Sequence, residues 1–190
     1  EKIDSESKKN EISDYSFGAY NILENTQSKA NVWFRKNISW ITECTYSDPY
    51  YSNVEHMVYK ADSNNLKLFG VNWGWAEISS RTTDDYVYDI TFHFSYLDYD
   101  HYKKYNTGVH DRKQAECDLA YKTMYEKLVD AYGEPTEVYE ENDWAKYSCL
   151  WEDTNDGDIF AWDSKDENGN GEAGLSFTVA DFDFSTRISR

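Results

Sequence analysis

Hydrophobic and polar positions alternate most regularly over residues 86–97. Tyr86, Tyr88, Ile90, Phe92, Phe94 and Tyr96 fall on one side, and Val87, Asp89, Thr91, His93, Ser95 and Leu97 on the other. A period of two sustained over such a run predicts an antiparallel strand with one covered face and one wetter face. Two more strands are expected before it, at 54–61 and 66–78, separated by the polar turn Asp62-Ser63-Asn64-Asn65. The second places Phe69, Val71, Trp73 and Trp75 on one face and Gly70, Asn72, Gly74 and Ala76 on the other. Glycines at those positions predict a bend or a close approach of another chain segment.

A helical period appears in two places. Ala30, Trp33, Phe34, Ile38 and Ile41 form one apolar stripe over about 27–41, and Asp48-Pro49 marks the turn after it. Cys117, Tyr121, Met124, Leu128 and Tyr132 form the other, with Asp111 and Gln114 as a capping box and Gly133 and Pro135 as the stop. Between 98 and 109 the chain reads as a polar, Tyr-rich loop. Beyond the second helix, strands are expected at 136–140, 147–152, 159–163 and 174–182, with Asp156-Gly157 as a hairpin turn.

The resulting order is helix, three strands, helix, three or four strands. It predicts an α+β fold of two tandem modules, each a helical segment followed by an antiparallel three- or four-stranded sheet. The modules are expected at 15–105 and 106–184, flanked by a polar, flexible leader over 1–14 and a tail over 185–190.

Charge narrows the classes of partner. Thirty-six acidic residues against 19 basic ones leave a net charge of −17, which disfavours nucleic acid and anionic membranes and favours a basic protein, a neutral glycan or a cation. No apolar run is long enough for a transmembrane helix. The 17 Tyr, 9 Phe and 7 Trp supply much of the apolar content, and Tyr and Trp suit half-buried surfaces.

Catalytic signatures are lacking: there is no GxSxG, P-loop, HExxH or dinucleotide-binding glycine pattern. No cofactor is expected. Cys44, Cys117 and Cys149 match no zinc spacing, and one disulfide plus a thiol or three thiols are both compatible with them. His56, His93, His101 and His110 match no metal template. One segment has the look of a cation loop. Asp166, Asn168 and Asn170 with Gly171 reproduce the first half of an EF-hand-type loop, but Phe177 stands where the bidentate carboxylate belongs.

The phrase Tyr125-Glu126-Lys127-Leu128-Val129-Asp130-Ala131-Tyr132-Gly133-Glu134-Pro135, a helix stopping before a second sheet, together with the element order, resembles the β-lactamase-inhibitor-protein-like fold. It also resembles secreted or lipid-anchored proteins of gut Gram-positive bacteria. The resemblance implies export and recognition of a protein by an exposed sheet face, and carries over no functional residue.

The expected function is therefore a non-enzymatic, extracytoplasmic, monomeric binding protein. It would contact a protein through the wetter sheet face, at Asp89, Thr91 and His93, and through Tyr99, Tyr102 and Tyr105 of the following loop. Glycan binding through exposed Trp or Tyr, and neutralisation of a basic enzyme by an acidic immunity or inhibitor protein, are the alternatives.

Overall fold

The computed structural model describes residues 18–37, 41–61, 66–165 and 168–180. Among the described residues three α-helices, α1 (Gln27–Asn37), α2 (Tyr99–Tyr105) and α3 (Gln114–Tyr132), accompany eleven strands. The strands are β1 (Ile41–Ser47), β2 (Val54–Ala61), β3 (Leu66–Leu68), β4 (Val71–Trp73), β5 (Trp75–Arg81), β6 (Tyr86–His93), β7 (Arg112–Lys113), β8 (Glu137–Tyr139), β9 (Ala145–Thr154), β10 (Gly157–Lys165) and β11 (Asn170–Thr178).

The expected pair of tandem modules is corrected by the strand pairing. The sheet is one nine-stranded antiparallel surface in the order β1-β2-β5-β6-β11-β10-β9-β8, with β7 added alongside β11. Its middle is the β6–β11 pair, which runs from Gly174 opposite His93 to Thr178 opposite Asp89. The last strand among the described residues thus closes onto the strand that the periodicity made most visible. Each half alone would leave an open, half-buried edge there, and pairing satisfies those backbone groups.

The two longer helices cover one face. Helix α1 sets Phe34 against Tyr59 and Phe92, ring centroids 4.4 and 6.5 Å apart. Helix α3 buries Cys117, Ala120, Met124 and Leu128, positions on one helical stripe. Beneath them lie Met57 and Tyr59 of β2, Ala76 and Ile78 of β5, Ile90 and Phe92 of β6, Leu175 and Phe177 of β11, Ile159 and Ala161 of β10, and Cys149 and Trp151 of β9. Each large side chain removed from water here contributes roughly 1.5–3 kcal/mol.

Several local expectations are corrected. The strand expected over 66–78 is broken, because Phe69 and Gly70 both have positive φ, 50° and 74°, and reverse the chain between β3 and β4. Two positive-φ residues between paired strands make the tight hairpin turn that Gly favours. Trp73 consequently enters the helix-side core against Phe92, while Trp75 faces the other way. The first helix stops at Asn37, and Ile41 begins β1, an edge strand. The Tyr-rich stretch expected as a loop forms helix α2, capped by Asp98, whose carboxylate accepts from the His101 N–H. Helix α3 starts with Lys113 in the cap position and Glu116 accepting the Lys113 N–H, while Gln114 turns inward.

The strand at 86–97 ends as β6 at His93 and contains a bulge. Val87 opposes Ser80 and Asp89 opposes Ser79, so Tyr88 is an extra residue. A bulge moves the local alternation by one position. It leaves Val87 in the helix-side core, while Ser79, Asp89, Glu77 and Asp48 on the other face all act on the Tyr88 hydroxyl.

Candidate functional site

Opposite α1 and α3 the sheet presents two different surfaces side by side. Over β1, β2 and β5 it is covered by α2. Tyr102 of α2 is buried against Trp75 and Tyr46, at 5.5 and 5.3 Å, and Tyr99 rests at 6.4 Å from Tyr46.

Under this cover runs a chain of alternating carboxylates and imidazoles. Asp48 Oδ2 lies 2.8 Å from His56 Nε2, and His56 Nδ1 lies 3.0 Å from Ser79 Oγ and 3.9 Å from Glu77. Glu77 accepts from the Tyr102 hydroxyl at 2.8 Å, and its other oxygen is 3.5 Å from His93 Nε2. His93 Nδ1 meets Glu172 Oε1 at 2.7 Å, where the Ser95 hydroxyl also donates at 2.7 Å. Glu172 Oε2 lies 3.1 Å from His110 Nε2. The Trp75 indole N–H donates to Ser95 Oγ, closing the chain from below.

The charges settle each other. Burial works against a protonated His93, yet the Glu172 carboxylate, with Glu77 beside it, raises the imidazole to about 9. Burial likewise pushes Glu172 up, but the His93 charge and the bonds from His110, His93 and Ser95 hold it well below the usual carboxylate range. Glu77 is also lowered: burial opposes the ionised form and His93, His56 and Tyr102 outweigh it. Asp89, one step along, is raised to about 6 by burial, only partly offset by hydroxyl donors Thr91 and Thr178.

This chain of groups closes on itself. Ser95 is 0 % exposed and donates to Glu172, so it is no accessible nucleophile. The imidazoles and carboxylates tie α2 and the 94–110 segment down onto the sheet. Among the described residues no group of His, Cys, Asp and Glu is placed to hold a metal ion. In the loop read as a half cation site, Asp166 lies outside the described residues. Asn170 pairs with Lys113 in the β11–β7 ladder, and Glu172 turns instead to His93. The three cysteines are free, and burial raises the Cys117 and Cys149 thiols to about 12 and about 11, which makes them inert packing.

The other half of this face, over β8–β10, is an aromatic floor. Registers align Tyr139, Ser148, Trp162, Gly174, His93 and Trp75 in one row across six strands. Trp162 lies directly over the bare Cα of Gly174, where a Cβ would sit 2.0 Å from the indole. Phe160 is stacked on Trp162 at 5.7 Å and touched by Tyr139 at 6.2 Å and Trp144 at 6.4 Å. Trp144 is 50 % and Tyr139 38 % exposed, and Phe160 and Trp162 are half-buried. At its inner end Trp162 meets the edge of His93 at 6.2 Å, so floor and buried chain share a border.

The expected contact residues are therefore divided. Asp89, Thr91 and His93 do share one face of β6, with Thr91 buried and the other two half-buried. Tyr102 is buried, Tyr99 half-buried and Tyr105 49 % exposed beside His101. The sequence pattern marks neither Tyr139, Trp144, Phe160 and Trp162 as surface residues nor Glu172 as a buried partner of His93. The available signal was the 159–163 run, where Phe160 and Trp162 alternate with Ile159 and Ala161, giving one strand two apolar faces. Comparison with protein-family models, with curated proteins and with solved structures returns no match.

Proposed function

We propose that this chain is a non-enzymatic binding protein that recognises a protein partner through the second face of β8–β10. The observation that carries the reading is the contiguous set of half-exposed rings Tyr139, Trp144, Phe160 and Trp162. Grouped exposed aromatics on a rigid sheet are the usual anchors of protein interfaces, because they bring a large contact area at little cost in side-chain entropy. A sheet floor also holds them in place: Trp162 is seated on Gly174 and Phe160 on Trp162. The neighbouring imidazole–carboxylate chain supports the same reading, since its groups are already paired with one another and the surface it underlies is covered by α2.

The experiment compares partner capture by the wild-type chain, by Trp144→Ala/Phe160→Ala, and by Leu119→Ala, which alters an exposed residue of α3. A discrete protein retained by the wild type and the α3 variant but lost by the floor variant supports the proposal. Equal retention by all three, or retention of a glycan in place of a protein, overturns it.

A further inference from the structure

The carboxylates around the aromatic floor identify the kind of partner it fits. Strand registers place Glu137 beside Tyr139 on β8 and Asp158 beside Phe160 on β10, both on the floor's face, and Glu152 of β9, at the bulge opposite Asp158, lies near enough to act on the Tyr139 hydroxyl. Glu137 and Glu152 are exposed, Asp158 is half-buried, and Glu137 hydrogen bonds with Tyr139.

The cations nearest to the floor are turned away or paired. Lys146 is an extra residue at the β9–β10 bulge, and its ammonium reaches Asp118 of α3 on the opposite face at 2.5 Å. Lys165 is paired with Glu141. Along β8 and the facing positions of β9–β11 the registers put no Lys or Arg among the rings. The whole chain carries −17.

Aromatic faces attract cations through their quadrupoles, and a ring of carboxylates strengthens the local negative potential. An anionic or neutral apolar partner would desolvate Glu137, Glu152 and Asp158 without supplying a counter-charge, although Tyr139 bonds Glu137 and the Asp153 N–H donates to Asp158. We infer that the floor of Tyr139, Trp144, Phe160 and Trp162 with its rim of Glu137, Glu152 and Asp158 binds a Lys- or Arg-rich protein segment, cationic side chains lying over the rings. This rests on the protein-recognition reading above and adds the chemistry of the partner.

The test titrates the full chain with nona-arginine and with a neutral Gly-Ser peptide of the same length, following tryptophan fluorescence and heat at low and moderate salt. Nona-arginine is expected to bind and to perturb the fluorescence, the neutral peptide not to bind. Phe160→Ala should weaken binding about tenfold, with exposed Trp144→Ala as the second variant if the first does not fold. Glu137→Gln/Glu152→Gln/Asp158→Asn should weaken it at least tenfold and flatten its salt dependence. The control neutralises Glu116, Glu126 and Asp130 of α3. An equal loss in that control means that net charge alone attracts the peptide, and overturns the inference. So does unchanged binding by the ring variants, or equal binding of the neutral peptide. If Trp144→Ala/Phe160→Ala abolishes capture of the native partner while nona-arginine binding is unchanged, the recognition reading stands and the cationic inference alone fails.

Discussion

The His93 imidazole lies flat on the Trp75 indole, ring centroids 3.7 Å apart and planes within 5°. An imidazolium against an aromatic face gains from the ring quadrupole, and here Glu77 and Glu172 hold it from either side. The charge is therefore part of the packing that joins the covered and open halves of the face.

Alkaline pH should loosen this junction. His93 is raised to about 9 in the folded chain from an ordinary value of 6.5. The folded state binds the proton more tightly, so the contribution is complete below pH 6.5 and disappears as pH rises through about 9. The urea midpoint should fall over that window in the wild type. His93→Gln should start lower at pH 6 and show a smaller fall. A wild-type midpoint that is level from pH 6.5 to 9.5 would count against the charged pairing.

A carboxyl pair on the helix side gives a second pH effect. Asp163 is fully buried and raised to about 7 by burial and by its hydrogen bond with Asp118, whose own carboxyl is lowered by Lys146 and Gln114 despite burial. The buried charge is absent at pH 4 and its cost grows until pH exceeds about 7. Asp163→Asn keeps an acceptor for Gln114 Nε2, which now lies 2.9 Å from Asp163 Oδ1, and removes the charge. It should melt above the wild type at pH 8, with the difference vanishing near pH 4.

Tyr102→Phe removes the hydroxyl that donates to Glu77 at 2.8 Å. The ring still packs on Trp75, but a buried carboxylate loses a donor, at a cost of about 1–3 kcal/mol. Equilibrium unfolding measures it, and a change below about 0.5 kcal/mol would mean that water replaces the donor.

Gly174→Ala places a methyl group inside the volume of the Trp162 indole, 2.0 Å from its nearest atom. The indole must tilt away from the sheet. Overpacking of this kind costs about 1–3 kcal/mol. The expected signature is a lower denaturation midpoint with red-shifted tryptophan emission, and weaker binding at the floor.

Much of the local structure was legible from residues a few positions apart. The stripe of α3 with its stop at Gly133 and the strand Val54–Ala61 appear where the pattern puts them, and the hairpin turn expected at Asp156-Gly157 falls one residue earlier, at Asn155-Asp156. The opposed faces of β6 were readable too, from Ile90 inward to Asp89, Thr91 and His93 outward. The bulge at Tyr88 and the reversal at Phe69-Gly70 were not, because an extra residue in a ladder is defined by the partner strand and αL Phe69 contradicts its own propensity.

What the sequence by itself determined is part of the inventory, without α2 or β1: the two longer helices, most of the strands and their inner faces, an acidic charge and an aromatic surplus. Each depends on periodicity or composition along one chain segment. Tertiary structure alone decided that β6 pairs with β11, making one sheet in place of two. It also decided that α2 covers one half of the second face and leaves the other to Tyr139, Trp144, Phe160 and Trp162. The reason is physical: strand partners and covering helices are chosen by matching surfaces far apart in the chain, and no periodicity within a segment records which surface it meets.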